Sequence, residues 1–398
     1  MNNQLFPAGW EQSNLGEVAK IERESVQPEN IKSGTAFVGL EHIDGEGNFN
    51  RVQSVNIGDV ASNKFAFDSR HLLYGKLRPY LKKIARPNFQ GICSTDILPI
   101  LPSAHIDRSF LYYYLRQPQY IELATTRSTG ANLPRLSPKT LAEFPISCPP
   151  LEEQKRIAAI LDKADGIRRK RKEAIALIEE LLRSTFLDMF GDPVTNPKGW
   201  ETLALRDVIL QIDAGWSAKG EERQCNLDEW GVFKISAVTS GTFDPQEHKA
   251  VGNPSFNKKL IIPKRGDLLF SRANTRELVA ATCLVENDCE RLFLPDKLWR
   301  IKTNSHIANV EYLRFLLADP KYRSLLAREA TGTSGSMLNI SQAKLLNMYA
   351  PVPSLNIQEK FAEFLWRIYK LKERNETSLG TLNQNFNSLL QKAFRGEL

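Results

Sequence analysis

Two stretches of the chain carry apolar residues at spacings of three and four. The first opens at Leu151 and runs through Ile157, Ile160, Leu161, Ala164, Ile167, Ile175, Ile178, Leu181 and Leu182. The second runs through Phe361, Phe364, Leu365, Ile368, Leu371, Leu379, Leu382, Phe386 and Leu389. Such stripes predict two long amphipathic helices, over 151–190 and 355–398. Pro149-Pro150 stops any helix from upstream, Gly191-Asp192-Pro193 ends the first helix, and Gly396 lies near the end of the second. Heptad positions 361, 368, 375, 382 and 389 read Phe, Ile, Asn, Leu, Leu, and a lone Asn375 in such a seam is a register-fixing residue. The rest, 1–150 and 191–354, mixes short apolar runs of strand length (Ala36–Leu40, Ile97–Leu101, Val232–Ala237, Leu298–Ile301) with helical ones (Phe110–Leu115, Val310–Leu317). Each is therefore an α/β or α+β globular unit with curved mixed sheets, and the helical runs break at Pro118 and Pro320.

The two halves repeat one another. Leu151-Glu-Glu-Gln154-Lys-Arg-Ile157 matches Leu355-Asn-Ile-Gln358-Glu-Lys-Phe361, Leu141 matches Leu345, and Pro149 matches Pro353. Thr129-Gly130 matches Thr331-Gly332, Pro118-x-Tyr120 matches Pro320-x-Tyr322, Leu72-Leu-Tyr74 matches Leu268-Leu-Phe270, and Gly9-Trp10 matches Gly199-Trp200. The separation grows from 190 residues at Gly9/Gly199 to 204 at Gln154/Gln358, as small loop insertions scattered along the second copy would produce. The order predicted is unit (1–150), helix (151–190), unit (191–354), helix (355–398).

A helix of about 35 residues spans roughly 50 Å and needs a partner for its apolar stripe. The other copy is the natural one. A pseudo-two-fold arrangement makes the helices antiparallel, a coiled-coil handle with a globular unit at each end. The residues expected at helix–helix or partner contacts are Gln154, Ile157, Ile160, Leu161, Ile167, Ile178 and Leu181, with Gln358, Phe361, Leu365, Ile368, Asn375, Leu382 and Leu389. The competing expectation is that each helix packs on its own globular unit. The basic run Arg168-Arg-Lys-Arg-Lys172 wraps around its helix, so it reads as a solvated surface or one that meets an acidic protein.

Composition narrows the function classes. The 398 residues are 42% hydrophobic and 25% charged, with a net charge of +7. That suits a folded, non-fibrous protein and makes nucleic acid the first partner to consider. No apolar run approaches the roughly 20 residues of a membrane span, and Met1–Trp10 lacks a secretory pattern. Five cysteines without a C-x-x-C pair fit free thiols in a reducing cytoplasm and no zinc site.

One segment concentrates cations. His71–Arg86 contains Lys76, Arg78, Lys82, Lys83 and Arg86, no acid, and the interleaved aromatics Tyr74 and Tyr80. Lys and Arg neutralise phosphates, and Arg can grip guanine edges. The matching stretch places Arg272 at Lys76 and adds Asn274, able to read adenine, and Arg276. Arg135, beyond the Thr129-Gly130 turn, and Trp216 and Lys219, in a Gly-bounded loop of the second copy, complete the DNA-contact candidates; Trp216 reads equally well as a core residue. No phosphate loop, His-Glu-x-x-His, Gly-x-Ser-x-Gly or Asn-Pro-Pro-Tyr-like base clamp is present, and Gly45-Glu-Gly47 is too short for a dinucleotide fingerprint. His42 reads as structural. Asp296 with Asp319-Pro-Lys321 resembles a nuclease carboxylate set. Its Asp319 and Lys321 are not repeated, and Asp96, aligned with Asp296, points to a shared structural acid.

Together these features resemble the specificity subunit of type I restriction–modification systems, over essentially the full length. The resemblance rests on Pro149-Pro-Leu-Glu-Glu-Gln-Lys-Arg-Ile157, Gly39-Leu-Glu-His-Ile43, Tyr74-Gly-Lys-Leu-Arg-Pro-Tyr80, Gly91-Ile-Cys-Ser-Thr95 and Phe394-Arg-Gly-Glu-Leu398. The second copy departs from it at Asn356-Ile357. The resemblance implies an α+β chain: two α/β target-recognition domains joined by two long antiparallel helices. Each domain reads half of a split double-stranded DNA site. The helices set the gap and dock two modification subunits. This chain carries no catalytic residue, metal or cofactor. S-adenosylmethionine arrives with the modification subunits, and ATP and Mg with restriction subunits. The alternatives are an autonomous DNA-binding regulator, a free-standing nuclease and a coiled-coil scaffold.

Overall fold

The computed structural model describes residues 9–226, 228–252, 259–332 and 337–398, so most of the stretch Met1–Trp10 lies outside the described residues. The chain forms two compact units, and the divisions fall inside the long helices. One comprises 1–173 with 377–398, the other 174–376.

In the first unit, a four-stranded antiparallel sheet orders Ala19–Ile21, Ile97–Pro102, Leu72–Gly75 and Ile84–Ala85. A five-stranded sheet contains one parallel pair, Thr35–Val38 with Gly91–Cys93. Leu72, Tyr74, Leu98 and Ile100 from the four-stranded sheet are buried with the helix Arg108–Leu115. The second unit repeats this plan. Its four-stranded sheet orders Ile209–Ala214, Leu298–Thr303, Leu268–Ser271 and Thr282–Leu284, and the parallel pair recurs as Trp230–Phe233 with Leu292–Phe293. The predicted strand Val232–Ala237 ends at Phe233, and Ser236–Thr239 is a short helix. Pro118 and Pro320 each occupy the first turn of a further helix, where a missing N–H costs nothing.

The long helices span Leu151–Phe190 and Leu355–Phe394. Gly191, at φ +81°, closes the first. Within the first unit their segments run antiparallel: Arg156 donates to the Leu398 carbonyl at 2.6 Å, and Arg168 lies 4.8 Å from the Phe386 ring. Within the second, Lys372 meets Glu179 at 3.1 Å, and Phe361 packs on Phe186 and Phe190.

The stripes serve two neighbours at once. Ile157 and Leu161 are fully buried in the core of the first globular part, and Phe361 and Leu365 in that of the second, so the expectation that each helix packs on its own unit also holds. Ile178 is buried, Ile368 and Leu389 are partly buried against the cores, and Ile160 and Leu382 are half-buried. Ile167 and Leu181 do not behave as seam residues: they are 48% and 45% exposed. On a helix of 3.6 residues per turn, positions that repeat every seven residues drift by about 20° per heptad, so spacings that fit the pattern leave the buried face. Asn375 is buried, and its amide donates to the Leu371 carbonyl one turn back.

Gln154 and Gln358 are corrected as interface residues. Each is buried inside its own unit. Gln154 donates to the His105 and Pro149 carbonyls and accepts the Asp107 N–H. Gln358 does the same with Ile307, Pro353 and Asn309. Asp107 and Asn309 are the N-caps of the two core helices, so each glutamine fastens a long helix to a cap. The basic run is corrected too. Arg168 and Arg169 pair with buried Asp165, and Lys172 pairs with Glu46, while Lys170 stays exposed.

Candidate nucleic-acid interface

Strand Leu72–Gly75 leaves the first unit's sheet at Lys76 and enters an irregular loop. Arg78 and Lys82 both adopt left-handed backbone, at φ 50° and 55°, and bracket the turn Pro79–Leu81. For residues with a Cβ this costs about 1 kcal/mol or more each, so the surroundings must hold it. They do. The Arg78 N–H donates to the Pro134 carbonyl at 2.8 Å. Arg116 donates to the carbonyls of Lys82, Ile84 and Gly45 and lies 5.0 Å from the Tyr112 ring. Arg78 and Lys82 are exposed, Tyr80 is 46% exposed, and Lys76 is half-buried. Among the described residues, the side chains of Lys76 and Lys82 make no ion pair or hydrogen bond, leaving both amines available. Lys83 differs: its amine is bonded to the Leu40 carbonyl at 2.6 Å, which makes it a brace of the loop.

Arg135 joins this cluster from a distant turn. Thr129 and Arg135 exchange backbone hydrogen bonds at 3.0 and 2.8 Å, and Leu136 N–H donates to the Lys76 carbonyl. The Arg135 guanidinium is held by both oxygens of Asp96, at 3.1 and 3.5 Å, with about half its surface open. An arginine fixed from behind by a carboxylate keeps its outer donors oriented.

The second unit builds the same cradle. Thr331 and Asn339 exchange the corresponding bonds at 2.9 and 2.8 Å, Ile340 N–H donates to the Arg272 carbonyl, and Arg272 N–H donates to the Lys297 carbonyl where Lys76 uses Asp96. The strand ladders fix the equivalence. Ile97 faces Gly75, whereas Leu298 faces Ser271. Lys297 therefore takes the ladder place of Asp96, and the sequence alignment of Asp96 with Asp296 is off by one residue. Both acids nevertheless hold an arginine: Asp296 lies 3.7 Å from Arg272, whose Nε also donates to the Asp296 carbonyl.

The remaining candidates gather here. Asn274 follows Arg272 in the short strand Ala273–Asn274, and its side-chain oxygen accepts the Thr275 N–H, while among the described residues its amide nitrogen is unengaged. Arg276 is exposed on the following turn. Trp216 is half-buried and stacks on Phe293 at 6.0 Å, which fits its reading as a packing residue. Next to it Ser217 bonds Asp296, and Lys219 extends exposed beyond.

The nuclease-like set is dispersed. Asp296 is engaged as above, Asp319 caps the helix Pro320–Glu329, and Lys321 pairs with Asp192. His42 is buried and accepts the Gly39 N–H. Among the described residues no His, Cys, Asp and Glu side chains cluster to hold a metal, and no helix is long and apolar enough to cross a membrane. Sequence reasoning missed Arg116 and the 129–135 turn as supports of the loop. Their contacts span tens of residues, and the repeated Thr129-Gly130 pair with Arg135 was the signal the sequence offered.

The family model described as the type I restriction modification DNA specificity domain matches residues 7–177 and 197–384. The chain belongs to this family. It holds two such specificity domains, one per copy of the repeat. It is 29% identical to the EcoEI specificity subunit of Escherichia coli over 55% of this chain and 38% of that protein. It is 24% identical to the EcoKI specificity subunit of Escherichia coli strain K12 over 75% of this chain and 67% of that protein. The matches to the EcoEI and EcoDI subunits span only about two fifths of those proteins' length, 38% and 43%. The fold resembles a type I restriction–modification S subunit from M. genitalium, with a TM-score of 0.58, 12% identity and 99% of this chain covered. It also resembles a chain from a structural study of type I R-M complex assembly and conformational transition, with a TM-score of 0.54, 21% identity and 99% coverage of both.

Proposed function

We propose that this chain is the specificity subunit of a type I restriction–modification complex, with each domain reading one half of a bipartite DNA site. One observation carries the reading: the same backbone cradle occurs twice with unlike side chains on it. Lys76, Arg78 and Arg135 in the first unit correspond to Arg272, Asn274 and Asn339 in the second. A conserved frame with exchanged donors suits two readers of two sequences. Lys76, Arg78, Lys82, Lys219 and Arg276 act as phosphate or base contacts, and Tyr80 supplies an aromatic face.

In this reading the long helices set the gap between half-sites and dock two modification subunits. The chain performs no chemistry itself. S-adenosylmethionine is used on the modification subunits, and ATP and Mg on restriction subunits. The test is to co-express the chain with its cognate modification subunits and map methyladenine across a host genome. A two-part motif with a fixed gap, lost when the chain is omitted, is the expected result. Tight binding to a two-part site by the chain alone, with no methylation from the assembled complex, would point instead to an autonomous regulator.

A further inference from the structure

The two units differ where the long helices meet their globular parts. In the first, the helix cations are answered from within. Asp165 receives Arg168 and Arg169 at 2.7 and 2.6 Å. The Glu46 carboxylate pairs with Lys172 and lies 3.8 Å from Arg168, while the Tyr112 hydroxyl donates to the Glu46 carbonyl at 2.9 Å.

The repeat shows what replaces them. The Gln154/Gln358 register puts Lys372 in the place of Arg168 and Tyr369 in that of Asp165. The cap register, Asp107/Asn309, puts Arg314 in the place of Tyr112. Arg314 donates to the Gly241 carbonyl at 2.7 Å, as Tyr112 does to the Glu46 carbonyl, so Gly241 stands at the place of Glu46, and Lys372 reaches the hydroxyl of the next residue, Thr242, at 3.4 Å. Arg314 adds a cation, while the same Gln154/Gln358 register sets Glu373 and Glu376 in the places of Arg169 and Lys172; the carboxylates of Asp165 and Glu46 have no counterparts, Tyr369 and Gly241 standing at their positions.

In their place the second unit holds a cavity of about 180 Å³. That is several times the roughly 30 Å³ share of one liquid water. Arg183, Arg314, Arg323 and Lys372 line it, with the hydroxyl-bearing Ser240, Thr242 and Thr282, against the carboxylates of Glu179 and Asp319. Asp319 is engaged as a helix cap, and Glu179, which pairs with Lys372, is 61% exposed. Glu376 lies 3.9 Å from Lys372 and is half exposed. Arg323 is bonded to the Val279 and Glu277 carbonyls. Lys372 is 5% exposed, and among the described residues the buried Nε of Arg314 has no hydrogen-bond partner. A buried guanidinium nitrogen without an acceptor is costly, and an oxyanion would satisfy it with a charge-assisted bond.

We propose that this cavity binds an oxyanion of phosphate size, either inorganic phosphate or the terminal phosphate of a nucleotide. The ion takes the part that the Glu46 carboxylate plays in the first unit. The proposal does not depend on the DNA reading.

The test is calorimetric titration of the full chain with inorganic phosphate and, separately, ATP, in chloride buffer of matched ionic strength, together with thermal unfolding. Thr242→Glu supplies an internal carboxylate in the manner of Glu46. It is expected to abolish binding and to raise the unfolding midpoint in chloride, and Arg314→Gln is expected to weaken binding. Phosphate binding lost in Thr242→Glu supports the free ion. Binding of ATP but not phosphate, lost in the same variant, assigns the site to a nucleotide's terminal phosphate. No binding of either by the folded wild-type chain, or binding that survives in folded Thr242→Glu, overturns the proposal. If one variant does not fold, the other decides.

Discussion

Gln358→Leu tests the clamp most directly. The side chain is fully buried, so the substitution preserves bulk and removes only chemistry. It deletes two donated bonds, 3.0 Å to Ile307 and 2.8 Å to Pro353, and one accepted bond, 3.0 Å from Asn309. Each backbone group left dry costs about 1–3 kcal/mol. Three such losses, incompletely additive, amount to roughly 3–6 kcal/mol. A typical domain has only about 5–15 kcal/mol to lose. The damage also reaches Asn309, whose side chain caps the helix Val310–Ala318 through the Tyr312 N–H. Urea unfolding followed by tryptophan fluorescence is a suitable assay, because Trp200, Trp216, Trp230, Trp299 and Trp366 all lie in the second unit. Gln154→Leu should leave that transition nearly unmoved and shift far-UV circular dichroism of the first unit instead. A loss below about 1 kcal/mol in Gln358→Leu would refute the clamp. Unchanged stability with lost subunit assembly would return the glutamines to a partner surface.

Phe186→Ala removes a ring packed on Phe190, Tyr312, Phe315 and Phe361 and should cost about 3–5 kcal/mol in the same unfolding experiment. Lys76→Ala and Arg78→Ala should each weaken duplex binding and lower the slope of log K against log salt by about one contact; an unchanged slope removes the residue from the interface. Asp162 is pushed up by burial but pulled further down by hydrogen bonds from Arg86 and Tyr113, so its carboxyl titrates below its ordinary value. Its contribution is therefore present above the unfolded pKa and lost as pH falls through the folded one. Asp162→Asn should destabilise the first unit at neutral pH, and the gap to wild type should close in acid. A gap independent of pH contradicts this.

The long helices and the internal repeat could be read from the sequence because both are carried by local spacing, as Ile157/Leu161 and Phe361/Leu365 show. Spacing does not say which neighbour a stripe faces. Ile167 and Leu181 fit the period yet face outward, and Gln154 and Gln358 matched across the copies without revealing that they bind backbone in their own units. The basic loop was visible as composition. Its left-handed residues and its brace by Arg116 were not, because they depend on carbonyls of Gly45, Lys82 and Ile84 remote in the chain. The one-residue slip that sets Lys297 at the Asp96 place is hidden for a related reason: matching letters favoured the two acids, and only ladder hydrogen bonds define register.

The division of the chain inside its long helices bears on synthesis. The second unit, 174–376, is one unbroken segment. The first needs residues from both ends: Leu390 and Ala393 fill its core, and Phe394 packs on Phe110 and Tyr114. On the ribosome, where folding ordinarily proceeds from the amino terminus, the order is reversed. The second unit, which takes Phe361 and Leu365 from the last helix, is complete at residue 376, whereas the core of the first is complete only with 377–398.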